Sequence, residues 1–462
     1  MVILLLALAA TPPAQDTLSL TVDSLAAQAM VEHKIPGLTI AVARGGRTVL
    51  SRAYGTASVE FNAPVTPQSV FLIASVTKTF TALGILQLAV EGKLDLDAPI
   101  ERYLGPLPDA WRPITVRHLL THTAGLKDRF EFTRDGRFYM EYTTGQMRAA
   151  AEATPVDTTP GQKFQYSDQG YFLLGQIIEK VSGRTYRQYL TERIFTPAGM
   201  TNSTTLNQRE LTMGRVPTYV LLQGKLSPAP RAYQFGLVSH FGILTTAEDL
   251  ARYGIALENG SLLPPAEREV MWSPGKLASG ATTRVAHVGM GLGWFLEPFN
   301  GRRMVYHEGS TGTALLLAPD DSLVVVVLTN LEALSGSDAI GLARDVASLY
   351  DPALDWWNIP PRADPDSAFT RRVETEIRSL TAGTPDSTAY TAEFWKTLRP
   401  MLAAQRQGLQ SLGLFRGITH LSTDQLGNEK VVSWKVVYAD VTLLGKAIET
   451  ADGRIAHLGL RR

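Results

Sequence analysis

Residues 73–84 read IASVTKTFTALG and place Ser75 and Lys78 three positions apart inside an apolar, helix-forming stretch. Helical residues at that spacing share a face, so the Ser75 hydroxyl and the Lys78 ammonium can meet within hydrogen-bond reach. In a dry pocket an ammonium beside a serine lowers the cost of removing the hydroxyl proton; with its pKa depressed by burial, the amine removes that proton itself. Taken alone the four residues are weak evidence, because a surface lysine lying along an apolar helix gives the same letters. Two further stretches add weight. In FQYSDQGYFLLG, Tyr166, Ser167 and Asp168 precede a strongly helical run, and a phenol beside a lysine that stabilises its phenolate is a candidate general base and acid. In HEGSTG, residues 307–312, His307, Gly309 and Ser310 fall on a strand edge beside a glycine-rich turn, where a peptide or acyl group can approach the backbone closely.

Other chemistries find little support. The chain has no Cys, which removes disulfides, thiolate metal sites and Cys nucleophiles together. It holds no His-Glu-x-x-His and no Walker loop, and GMGLG lacks the spacing of a dinucleotide turn, so no metal and no organic cofactor is expected. The Gly-x-Ser-x-Gly elbow of an α/β-hydrolase is absent too. His118 and His122 stand four apart in RHLLTHTAG without a third ligand and are expected to brace a loop. Glu308 should point to the opposite face of its strand, and Trp272, Trp294, Trp356 and Trp357 suit core or linker packing. Phe138, Tyr139 and Tyr142 form an aromatic stretch that could line an acyl pocket.

These residues need elements to hold them. After TVDSLAAQAMVEHK, a helical pattern, GLTIAVARGGRTVLSRAYG reads as a hairpin about Gly45-Gly46. Helical patterns then dominate to about residue 258, with Gly183 breaking a long one. Strands return in GMGLGWFLEP, RRMVYHEGS and TALLLAPDDSLVVVVLTN before the helix DAIGLARDVASLY. Strands at both ends of a helical middle imply an α/β (α+β) fold: an antiparallel sheet built from distant segments, flanked by helices, with an all-helical subdomain inserted at about 80–258. Residues 351–366, rich in Pro and Asp, read as a linker, and 367–462 as a small α+β unit of two helices and four strands. Its element order faintly resembles nuclear-transport-factor-like domains.

At 462 residues with 45% hydrophobic and 19% charged side chains, the chain is a globular protein of more than one unit. Lys plus Arg equals Asp plus Glu at 44 each, with no long run of one sign, so nothing suggests a nucleic-acid surface; a small molecule or short peptide is the expected partner. The opening MVILLLALAATPPAQD resembles a signal peptide over residues 1–15 and points to a periplasmic or secreted protein, and no later segment is apolar and long enough to anchor it across a membrane.

Taken in order, the three motifs resemble the serine β-lactamase and penicillin-binding protein superfamily, most closely its class C branch with the related esterases and D-amino-acid peptidases. Ser75-Val76-Thr77-Lys78 matches its Ser-x-x-Lys, Tyr166-Ser167-Asp168 its Tyr-x-Asn, and His307-Glu308-Gly309 its Lys-Thr-Gly in the His-x-Gly form. HLLTHTAGL, IFTPAGM and GILTTAEDLARY look like the family's framework, and the likeness runs from about residue 20 to 350. The resemblance implies an acyl-enzyme cycle on an ester, amide, β-lactam or short peptide. Ser75 attacks the carbonyl, Lys78 and Tyr166 handle its proton, and the Ser75 and Ser310 backbone N–H groups hold the oxyanion. Asp168, His307, Gly309 and Ser310 would contact substrate.

Two positions depart from the pattern. Ionised Asp168 can only accept hydrogen bonds where an Asn would also donate, and an unperturbed His307 is mostly neutral at pH 7 where a lysine would attract a carboxylate. Both changes favour an esterase or a D-amino-acid amidase over a β-lactamase or DD-peptidase. A binding protein on the same fold is the alternative of another class, and an intact Ser75, Lys78 and Tyr166 speaks against it.

Overall fold

The computed structural model describes residues 14–126, 141–229 and 234–461. Residues 1–13 of the stretch 1–15 that reads as a signal peptide, and Phe138 and Tyr139, lie outside them. Helix α1 (Ala14–His33) leads into β1 (Gly37–Arg44) and β2 (Arg47–Ser58), joined at Gly45-Gly46 with φ of 57° and 77°. Two positive φ values are what a two-residue turn needs to follow the strand twist, and glycine adopts them without strain.

Helix α2 (Thr77–Val90) carries Lys78, α3 (Asp168–Ser182) follows the tyrosine motif, and α4 (Ala247–Glu258) closes the inserted region. That region is mainly helical and also holds short strands, including a three-stranded sheet of Phe71–Leu72, Ile243–Thr245 and Thr204–Thr205. The chain then returns through β3 (Phe295–Phe299), β4 (Arg302–Gly309), β5 (Thr313–Ala318) and β6 (Leu323–Thr329) to helix α5 (Ala339–Tyr350). One antiparallel nine-stranded sheet results, in the order Arg284–Val285, Val288–Met290, β3, β4, β5, β6, β1, β2, Ala63–Pro64. The C-terminal strand β6 pairs with β1 from Leu38↔Thr329 to Arg44↔Leu323, so the two ends of this region meet at the sheet centre.

Alternation decides what covers each face. Ile40, Val42, Val325 and Val327 pack with Val22 and Ala26 of α1 and Ala343 and Val346 of α5. Ala41, Ala43, Val324 and Val326 face Leu250 and Ala251 of α4 and the helical region beyond. Both faces are covered, which is why β1 and β6 are apolar at nearly every position instead of alternating. Helix α2 runs through that second core, buried from Thr77 to Leu88, and Phe80 stacks on Tyr253 at 3.8 Å.

Residues 351–366 pack against both neighbouring units. Asn300 donates to the Ala353 carbonyl at 2.7 Å, and Lys435 donates to the Ile359 carbonyl at 3.0 Å. Three helices follow where two were expected, α6 (Ser367–Ala382), α7 (Ala392–Leu398) and α8 (Leu402–Gln410). Pro400 divides a run that reads as one helix in the sequence. They cover an antiparallel sheet of β7 (Phe415–Leu426), β8 (Glu429–Tyr438), β9 (Thr442–Glu449) and β10 (Ile455–Arg461).

Candidate active site

Ser75 lies in a single 3-10 turn, Ala74–Val76, that runs directly into α2. It therefore stands at the mouth of the helix while Lys78 is on the first turn, fully buried. Ala74 holds φ at 44°, a left-handed conformation that costs a non-glycine residue energy and is kept only where neighbours enforce it. The enforcing contacts come from the end of β4 and the start of β5: Thr311 Oγ1 donates to the Leu72 carbonyl at 2.5 Å and Thr313 Oγ1 to the Ile73 carbonyl at 3.0 Å. Gly309 permits that approach, since a Cβ there would lie 2.3 Å from the Ile73 carbonyl oxygen.

Lys78 Nζ lies 3.0 Å from Ser75 Oγ, 2.9 Å from the His240 carbonyl oxygen and 2.6 Å from Asp168 Oδ1. An ammonium has no lone pair and can only donate to Ser75 Oγ, so the Ser75 proton must point elsewhere. Tyr166 is placed to receive it, its oxygen in hydrogen-bonding contact with both Ser75 and Lys78. Burial works to strip the charge from Lys78, but the Tyr166 oxygen and the Asp168 carboxylate outweigh it and raise its pKa. Burial likewise raises Tyr166 despite Lys78, and would raise Asp168 had the ammonium not pulled that carboxyl below its usual range. The resting site thus pairs an ammonium with a carboxylate beside a neutral phenol. Ser167 caps α3 by accepting from the Gly170 N–H at 3.1 Å, which puts Asp168 at the first helical position, where the helix dipole favours its charge.

Three imidazoles surround this pair, and burial holds each pKa down: His307 to about 3, His240 to about 4, and His122 well below its ordinary value. His307 lies 2.7 Å through Nδ1 from the Glu308 carbonyl oxygen, which can only accept, so Nδ1 carries the proton and Nε2 a lone pair. Its ring centroid lies 6.3 Å from that of Tyr166. Ser310 is exposed beyond Gly309, its carbonyl fixed by the Ala333 N–H at 2.9 Å.

Ser75, Lys78, Tyr166, Asp168, His307, Gly309 and Ser310 therefore converge from three segments. Two residues that the sequence did not assign to the site also belong here. His122 stacks on Tyr166 at 4.3 Å and accepts the Ser167 N–H at 3.0 Å, fixing the loop that carries both motif residues. His240 supplies the carbonyl to Lys78 from just upstream of GILTTAEDLARY. His118, by contrast, only closes a capping box with Thr115. Tyr142 is buried and stacks with Phe235 at 5.9 Å, while Glu308 is exposed. Trp272 and Trp294 are core residues.

Penicillin-binding protein 4* of Bacillus subtilis (strain 168) is 29% identical over 326 residues, 65% of this chain and 69% of that protein. Protein flp of Staphylococcus aureus (strain MW2) is 28% identical over 321 residues, 67% of this chain; the chain spans 62% of that relative, less than two thirds of its length. Among solved structures, the octameric penicillin-binding protein homologue from Pyrococcus abyssi shares the fold with a TM-score of 0.62 at 23% identity, over 94% of this chain and 97% of that one. The family model described as Beta-lactamase matches residues 22–348, from α1 to the end of α5 and so across every segment of the site, and the chain belongs to the β-lactamase family.

Proposed function

We propose that this protein is a serine hydrolase that forms an acyl-enzyme on Ser75 and cleaves esters or small amides that carry no carboxylate. One observation carries this reading: Asp168 lies 2.6 Å from Lys78 and matches its charge, while His307 is neutral where a lysine would be expected. Penicillins and the D-Ala-D-Ala ends of peptidoglycan present a carboxylate, and among the described residues around Lys78 no unmatched cation faces it. An amine on the acyl group, as in a D-amino-acid amide, finds an acceptor in Asp168, whose side chain is 38% exposed.

In this mechanism the Lys78–Tyr166 pair first gives up one proton to solvent, leaving a phenolate that the Lys78 ammonium stabilises, and Ser75 then attacks the carbonyl as its proton passes to the Tyr166 oxygen. The backbone N–H groups of Ser75 and Ser310 receive the oxyanion. Tyr166 returns the proton to the leaving alcohol or amine, and water repeats the sequence on the acyl-enzyme. His122 keeps Tyr166 in place and takes no proton. The leader suggests that this happens outside the cytoplasm, and no helix among the described residues is long and apolar enough to cross a membrane.

The test compares the protein with Ser75→Ala on p-nitrophenyl esters, D-amino-acid anilides and a chromogenic cephalosporin. Ester or anilide turnover should fall at least ~10³-fold in the variant. Equal turnover by the two proteins would remove Ser75 from the reaction, and cephalosporin hydrolysis outpacing both other classes would replace this reading with a β-lactamase.

A further inference from the structure

A cavity of about 1050 Å³ lies between the C-terminal unit and the catalytic region, and neither Ser75 nor Lys78 lines it. Helices α7 and α8 form one wall with Leu398 and Leu409, and β9 and β10 form another with Leu443, Leu458 and Leu460. Phe164 and Leu277 close it from the catalytic side. Its volume lies just above the ~300–1,000 Å³ of sites that hold small molecules, and a wall of leucine side chains favours a ligand that buries apolar surface.

The polar lining is asymmetric. Arg284 is matched by Glu429 at 2.7 Å. Arg461, at the end of β10, is not matched so closely: Glu297 receives Arg344 at 2.6 Å and Lys446 at 2.7 Å, leaving Arg461 at 3.7 Å, and the Arg461 Nε is buried without a hydrogen-bond partner among the described residues. A guanidinium donor buried without an acceptor is costly unless an anion comes to it. Lys163 stands on the same lining, exposed and without an ion-pair partner among the described residues.

We propose that this cavity binds a fatty acid, its chain among the leucines of α7, α8, β9 and β10 and its carboxylate at Arg461. The site is independent of Ser75 and does not rest on the esterase reading.

The test titrates the full chain and its Ser75→Ala variant with 11-(dansylamino)undecanoate, following dansyl fluorescence, and displaces the probe with fatty acids and dodecanol. Both proteins should bind one probe per chain with the same affinity, and displacement should strengthen by about fourfold per methylene from octanoate to dodecanoate. Arg461→Met should weaken dodecanoate at least tenfold and leave dodecanol within twofold, whereas a merely structural loss would weaken both. Gly408→Trp, on the cavity wall where an added Cβ meets nothing within 4 Å, should weaken every ligand tenfold while the protein stays folded. Absence of saturable binding, loss of binding in Ser75→Ala, or affinities unchanged by both Arg461→Met and Gly408→Trp would overturn the proposal.

Discussion

In the proposed mechanism Asp168 gives the site its character, because it acts on both groups that would handle the Ser75 proton. Its carboxylate raises both Lys78 and Tyr166. In the proposed mechanism the reaction begins when the Lys78–Tyr166 pair has lost one proton, so a carboxylate that raises both members makes the reactive form scarce at neutral pH. The sign follows directly: removing the negative charge lowers both pKa values. In Asp168→Asn the rise of kcat/KM for a p-nitrophenyl ester with increasing pH should therefore move toward acid, and coincident profiles would show that Asp168 does not tune the pair. The same substitution restores an amide that can donate to an acylamino carbonyl, so acylation by a chromogenic cephalosporin should rise at least tenfold. No change there would mark Asp168 as tolerated and not selective. His307 and His240, held to about 3 and about 4, contribute no ionisation near pH 6.5, and the wild-type profile should lack an imidazole limb.

The turn before α2 works only because β4 and β5 press on it. A methyl group at Gly309 would sit 2.3 Å from the Ile73 carbonyl oxygen, so Gly309→Ala must push β4 away from the segment that presents Ser75. Displacement on the scale of an ångström costs about 10²-fold in rate. We expect that fall in kcat with an unchanged far-UV circular dichroism spectrum; activity within twofold of wild type would show that the strand does not hold Ser75. Elements of this kind divide by how far their causes reach along the chain. The Gly45-Gly46 hairpin, the stop at Gly183 and the Ser75–Lys78 spacing rest on contacts within a few residues, and the sequence displays them openly. So does the antiparallel sheet with its helical insertion, since apolar runs such as LVVVVLT demand cover on both faces. The 3-10 turn at Ser75 was not legible, because its left-handed Ala74 is imposed by Thr311 and Thr313 from about 240 residues away. His122 and His240 escaped as site residues for the same reason: they act on Ser167 and Lys78 across 45 and 162 residues. Their letters resemble any buried histidine.

The molecule as a whole is tied together by a carboxylate. Glu297 on β3 is fully buried, and it meets Arg344 of α5, Lys446 of β9 and Arg461 of β10, with His287 at 3.4 Å. The catalytic sheet and the C-terminal sheet thus share one buried ion cluster, reinforced by Asp424 of β7, which accepts the Asn300 and Gly301 N–H groups at 3.0 and 2.6 Å. A buried cluster stabilises only while its charges match, and removing one partner strands the others. Glu297→Gln leaves cations without a counter-charge, at a cost of about 3–5 kcal/mol and a fall in Tm of about 5–10 °C. Its pH dependence separates this cause from loss of packing. Burial lowers Lys446 to about 8, with Glu297 opposing that fall. A lysine whose folded pKa lies below its unfolded value loses stability as pH drops from about 10.5 to the folded value, and the loss stops there. Without Glu297 the folded value falls below 8, so the loss continues into the neutral range. Glu297 itself is held well below the ordinary carboxyl value and stays ionised from pH 7 to 9.5. The stability deficit of Glu297→Gln should therefore be larger at pH 7 than at pH 9.5, and adding Lys446→Met should recover part of it at pH 7. A deficit independent of pH, or a double variant as weak as the sum of the single ones, would show that packing and not charge joins the two units.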